Sequence, residues 1–188
     1  MIQLQRPPKE FNPKKRLGLV HVYTGTGEGK TTTALGVALK AVGHNLRVVV
    51  IQFLKGHKDY GEMLIQQRLQ PQLEVVQFGS TQPVRLETPS GLDLYLAQQG
   101  LEYARRVMVL RRPDVLILDE INPVLHHGLL DTKAILDFLD NKHQQTEVIL
   151  TGEQAPADLL NAADIVSVMT NTKHLQADEF VPRFGIEH

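Results

Sequence analysis

Thr24-Gly25-Thr26-Gly27-Glu28-Gly29-Lys30-Thr31-Thr32 stands between an apolar, β-branched run, Leu17 to Tyr23, and a helical pattern, Thr33 to Val42. Strand, glycine-rich turn and helix is the order that a phosphate-binding loop needs. Glycines let backbone N–H groups curl around an anion, and the next helix aims its unpaired N–H groups at the same place. Lys30 adds a mobile charge for the outer phosphates, and the Thr31 hydroxyl suits a Mg²⁺ ion. The strict pattern G-x-x-x-x-G-K-[ST] is broken at one position, where Thr24 replaces the first glycine. Gly25, Thr26, Gly27, Glu28, Gly29, Lys30, Thr31 and Thr32 are the expected binding residues for a nucleoside polyphosphate.

The rest of the chain is ordinary for a globular protein. It has 188 residues, 42% hydrophobic and 22% charged, enough to bury one sizeable core. A net charge of −1 gives no overall attraction for nucleic acid or an anionic membrane. Cysteine is absent, so disulfides, thiolate metal sites and a cysteine nucleophile are excluded. No apolar run approaches the ~20 residues of a membrane span, and the expectation is a soluble cytoplasmic protein.

Residues 1–16 hold three prolines and end in Lys14-Lys15-Arg16, which reads as an extended polar arm. Six strands are expected over Leu17–Tyr23, Leu46–Phe53, Leu73–Phe78, Asp114–Glu120, Thr146–Thr151 and Asp164–Met169. Helices fall between them, over Thr31–Gly43 (with Gly43 as its C-cap), Gly61–Leu69, Leu92–Leu110, Asp131–His143 and Pro156–Ala163. Strands alternating with helices predict one α/β domain over 17–188, a RecA-like, P-loop doubly wound sheet, mostly parallel, with helices on both faces. The Lys55-Gly56-His57-Lys58 turn ends the second strand and faces the nucleotide edge. Asp119 and Glu120 close the fourth strand, where P-loop proteins keep a carboxylate for the metal. Neighbours on a strand point opposite ways, so one of the two faces the phosphates. His126 and His127 are adjacent, the wrong spacing for a shared metal site.

Further segments carry a resemblance to a known family: Ala41-Val42-Gly43-His44, Gln52-Phe53-Leu54-Lys55-Gly56, Tyr60-Gly61-Glu62, Leu118-Asp119-Glu120-Ile121-Asn122, Gly128-Leu129-Leu130, Leu150-Thr151-Gly152, Ala162-Ala163-Asp164-Ile165-Val166, Lys173-His174 and Gly185-Ile186-Glu187. With the loop at 24–32, written T-G-x-G-x-G-K-T-T, the chain resembles the P-loop corrinoid adenosyltransferases over residues 17–188. The likeness implies transfer of the 5′-deoxyadenosyl group of ATP to cobalt(I) of a corrinoid, with triphosphate leaving. It implies Lys30 and Glu120 as catalytic residues, and Mg²⁺ or Mn²⁺ held by Thr31 and Glu120. A homodimer and an electron-donating flavoprotein partner are implied in the same way. The chain departs from the family where Gly79-Ser80-Thr81-Gln82-Pro83-Val84 replaces an aromatic Phe-Thr-Trp stretch. It departs again at Val168 and Thr170, where a Glu and an Arg are usual, and at Ala177 and His188. Two alternatives stay open at this point: a nucleotide-binding regulatory or corrinoid-handling protein without transfer, and an NTPase releasing orthophosphate with Arg85, Arg105 or Arg183 as its arginine finger.

Overall fold

The computed structural model of the chain describes residues 17–173, 183, 185 and 186. The arm expected over 1–16, and His174, Ala177, Glu187 and His188 of the tail, lie outside the described residues. The element order is β1 (Val20–Thr24), α1 (Lys30–Gly43), β2 (Val48–Phe53), α2 (Gly61–Leu69), β3 (Leu73–Phe78), α3 (Gly91–Leu110), β4 (Val115–Asp119), α4 (Ile121–His126), α5 (Thr132–Asp140), β5 (Glu147–Thr151), α6 (Ala157–Ala162) and β6 (Ile165–Val168). The six strands form one sheet in the order β3-β2-β4-β5-β1-β6, and every pairing is parallel. All six C-terminal strand ends therefore share one edge.

Alternation along the strands sorts the core into two layers. Val49, Ile51, Phe53, Leu116, Leu118, Val148 and Leu150 face a cluster built with α3, α4, α5 and α6. Val48, Val50, Val115, Ile117 and Ile149 face the other side, where α1 packs through Ala34, Ala38 and Ala41. Those alanines recur every three or four positions, so α1 presents a smooth seam that lies close on the sheet.

Local chemistry explains the boundaries. β1 begins later than its apolar run because the N–H groups of Gly18 and Leu19 donate to Glu147 Oε2, at 2.7 and 2.8 Å. Gly43 is the last helical residue of α1 rather than its cap; His44 caps it and Asn45 takes the left-handed backbone at φ 59°. Asp131 caps α5, accepting from Lys133 N at 2.9 Å. α3 starts with a capping box that pairs Ser90 and Asp93, which ends the irregular segment after β3. Helix α4 was not anticipated: Pro123 sits in its first turn, where a missing N–H costs nothing. His126 is exposed and His127 half-buried, off any shared site.

Glu147 holds the start of β1. It accepts His21 Nε2 at 2.5 Å besides the two backbone donors. Burial opposes its ionisation, but the hydrogen bonds from His21, Leu19 and Gly18 outweigh this and keep its pKa below the usual value. A depressed carboxyl contributes stability that is present above the unfolded pKa and lost as pH falls through the folded one. Glu147→Gln is therefore expected to flatten the acid limb of stability. Urea unfolding at pH 7 and below pH 4 should show a larger drop for wild type than for the variant.

Candidate active site

The glycine-rich segment leaves β1 and enters α1 at the C-terminal edge, with φ of 99° at Gly25 and 94° at Gly29. Only glycine takes these values freely. Gly27 is fixed for a second reason: its N–H donates to Met169 O at 2.8 Å, and an added Cβ would stand 2.7 Å from Met169 C and Thr170 N. The loop is thus packed against the chain that leaves β6. Asn171 Oδ1 accepts from Glu28 N at 3.2 Å on the same side. Lys30 is buried, and its ammonium donates to Gly25 O and Gly27 O at 2.9 and 2.6 Å, with Glu153 Oε1 at 3.9 Å. Thr26 and Thr32 belong to the same loop and first helical turn, both with exposed side chains.

Beneath the loop lies Asp119, 1% exposed. It shares its strand face with Val115 and Ile117, the side on which α1 packs, so its carboxylate meets the first turn of that helix. Thr31 Oγ1 donates to Asp119 Oδ1 at 2.8 Å, and Thr151 Oγ1 to the same oxygen at 2.7 Å. Lys55 Nζ and Gln52 Nε2 donate to Oδ2 at 2.8 and 3.1 Å. Burial works against the charge on Asp119, yet the Lys55 ammonium and the bonds from Lys55, Thr151 and Thr31 prevail and hold its pKa below the ordinary range. Lys55 is raised in turn: burial lowers it, but the charge and hydrogen bond of Asp119, with the charges of Glu120 and Glu62, together outweigh this.

Glu120 follows in left-handed backbone at φ 61°, and its N–H donates to Thr151 Oγ1 at 3.0 Å. Its carboxyl lies over Gly152, where an added Cβ would come within 3.3 Å of Oε2. Burial, and then repulsion from Asp119, raise its pKa; Lys55 and Lys30 offset part of this. Asn122 is fully buried and ties two strand ends together, donating from Nδ2 to Tyr23 O at 3.2 Å and Gly152 O at 2.8 Å.

The structure thus gathers Gly25 to Thr32, Asp119 and Glu120 at one edge, with Thr31 bonded to Asp119. Reading the sequence residue by residue missed Lys55, Gln52 and Thr151 as members of this cluster, although two lie in the segment 52–56. Thr31, Asp119 and Glu120 offer oxygen donors alone, which suits a hard cation such as Mg²⁺ or Mn²⁺. Among the described residues, no group of three or more His, Cys, Asp or Glu side chains could hold a metal by itself.

Fold and site together define a P-loop nucleotide-binding protein. Among solved structures, a KaiC-like protein of Pyrococcus horikoshii is similar, with a TM-score of 0.56 and 18% identity over 83% of this chain and 74% of that one. The model of the family described as ATP:corrinoid adenosyltransferase BtuR/CobO/CobP matches residues 16–188, and the chain belongs to that family. A corrinoid adenosyltransferase of Escherichia coli K12 is 30% identical over 91% of this chain and 86% of its own length. The uncharacterized protein all2391 of Nostoc sp. is 36% identical over 95% of this chain, which spans 50% of that relative's length.

The packing of Gly27 gives a direct test. Gly27→Ala must push residues 169–170 away, and should cost about 1–3 kcal/mol of stability in urea unfolding and weaken ATP binding in calorimetry. Gly36→Ala is the control: its added methyl meets nothing within 4 Å. In the middle of α1 it should stabilise by about 0.5–1 kcal/mol and leave ATP affinity unchanged.

Proposed function

We propose that this chain transfers the 5′-deoxyadenosyl group of ATP to cobalt(I) of a corrinoid and releases triphosphate. The observations that carry the reading are the family to which residues 16–188 belong and the bond from Thr31 to Asp119 directly beneath the loop that holds Lys30. The transfer is an alkyl substitution. The cobalt electron pair forms a bond to the 5′ carbon as the bond from that carbon to the triphosphate oxygen breaks. Negative charge grows on the departing triphosphate, so the protein's task is to stabilise that group with donors already in position. The Lys30 ammonium supplies them together with backbone N–H groups between Gly25 and Thr31, those of Gly27 and Glu28 excepted because they are bonded to Met169 O and Asn171 Oδ1. No general base is required, because the corrinoid substrate is itself the nucleophile.

A divalent cation, Mg²⁺ or Mn²⁺, would be held by Thr31 with Glu120 and Asp119, and supplies further neutralisation of the triphosphate. Glu120 fits this role because it brings a carboxylate to the same strand edge, where its carboxyl lies over Gly152. The proposal includes a homodimer in the cytoplasm, residues 17–188 acting as one domain, and a flavoprotein that delivers the electron. Corrinoid handling without transfer is the second reading. It is favoured by residues 79–84, which contain no aromatic ring and close on themselves where Ser80 Oγ donates to Gln82 O at 2.9 Å.

An anaerobic assay with ATP, Mg²⁺ and chemically reduced cob(I)alamin or cobinamide decides between them. Transfer predicts an adenosylated corrinoid with triphosphate as the phosphate product. Lys30→Ala and Glu120→Ala should each lower turnover at least about a hundredfold, the cost of losing a preorganised donor or charge. Wild-type rates from either variant would remove that residue from the site, and orthophosphate as product would favour an NTPase.

A further inference from the structure

Asp119 has no acceptor position left. A carboxylate offers about four, and Thr31, Thr151, Gln52 and Lys55 fill them at 2.8, 2.7, 3.1 and 2.8 Å. Three of these donors are neutral groups fixed on regular elements, in α1, β5 and β2. Lys55 differs. It is charged, long, 21% exposed, and stands in the turn after β2. Its ammonium also lies 3.4 Å from Thr31 Oγ1, the hydroxyl that a P-loop offers to its metal. One cation therefore already spans the hydroxyl and the carboxylate.

The turn that delivers it is built for the purpose. Leu54 adopts φ 61°, a left-handed conformation uncommon for a residue with a side chain. Gly56 and Gly79 let two loops interlock, since an added Cβ at Gly56 would stand 2.6 Å from Gly79 O and Ser80 C. Leu54 N donates to Phe78 O at 3.2 Å across the same contact.

We propose that Lys55 is a resident counter-ion that holds the divalent cation's place at Thr31 and Asp119, and moves to the phosphate oxygens when metal and nucleotide enter together. The inference rests on nucleotide binding by this loop and not on transfer to cobalt. Without a cation, Asp119 would be a buried unpaired charge, which is strongly destabilising. The ammonium removes that penalty while the site is empty. It also keeps a free divalent ion out, because the ion has to displace it. Phosphates give the ammonium a new partner, so metal and nucleotide favour each other's binding.

Manganese binding measured by electron paramagnetic resonance on the full chain tests this without any corrinoid. Wild type should bind Mn²⁺ weakly alone and much more tightly with ATP. Lys55→Met and Lys55→Gln should bind Mn²⁺ alone at least about tenfold more tightly than wild type, and gain less from ATP. Lys55→Arg, which keeps the charge, should behave as wild type. Millimolar Mg²⁺ without nucleotide should raise the melting temperature of the Met and Gln variants but not of wild type. Lys55→Gln retains a donor to Asp119, and so covers the case in which Lys55→Met does not fold. Unchanged or weaker Mn²⁺ binding by the nucleotide-free variants overturns the inference. Failure of the adenosyl transfer assay with these metal results intact would overturn the proposed reaction alone.

Discussion

The buried carboxylate of Asp119 is the constraint on which the site depends. A charge at that depth is tolerated only with complete hydrogen bonding and a cation. Meeting that demand brings together α1 through Thr31, β2 through Gln52, β5 through Thr151 and the turn after β2 through Lys55. Gln77 extends the chain to β3, donating from Nε2 to Gln52 Oε1 at 3.1 Å, while Gln52 also donates to Glu62 Oε1 at 2.8 Å. One acid thus sets the spacing of the elements that flank the nucleotide loop. The geometry beneath the glycine-rich loop and structural stability share the same bonds.

The loop itself rests on a strand fixed at both ends. At its start, Glu147 takes the Gly18 and Leu19 N–H groups, and Lys142 Nζ donates to Gly18 O at 2.6 Å and Thr146 O at 3.0 Å. At its finish, Asn122 holds Tyr23 O. β1 runs between β5 and β6, so the loop leaves from inside the sheet, with the 169–171 segment as a backbone wall on one side. A phosphate cradle works by presenting N–H groups that need no rearrangement when charge develops, and this mounting supplies that rigidity. Lys30 contributes in the same manner, since its ammonium is already held against the loop carbonyls.

The charges around the loop are set against one another. Asp119 is held ionised by its partners, whereas Glu120, one residue on, is pushed towards its neutral form by burial and by Asp119. Lys55 acts on both acids, and Lys30 acts on Glu120 as well. In the proposed reaction an incoming triphosphate would add several negative charges to this set, which is the physical reason a divalent cation is proposed with it. The donor atoms present are hydroxyl and carboxylate oxygens, suited to that class of ion.

The sequence alone determined the order of elements and the edge on which the chemistry lies. Strand, Gly25 to Lys30, and helix is a local signal, and a short β-branched run such as Val48-Val49-Val50-Ile51 reads as a strand covered on both sides. Strand alternation also required that Asp119 and Glu120 point apart. It did not tell which of them meets Thr31, because that depends on the face of the sheet that α1 covers. Tertiary packing decided it, by laying the Ala34, Ala38 and Ala41 seam on the side of Val115 and Ile117. The place of Lys55 was undetermined for the same reason. Its ammonium reaches Asp119 because β2 pairs directly with β4, setting Gln52 opposite Asp119. Helix α4 escaped notice because Pro123 reads as a breaker in sequence, whereas the Glu120 turn makes it a first-turn residue with no bond to lose. Local patterns fix periodicity and turn chemistry, while contacts between residues 64 or 88 positions apart, Lys55 and Thr31 with Asp119, exist only once strand order and helix face have been chosen.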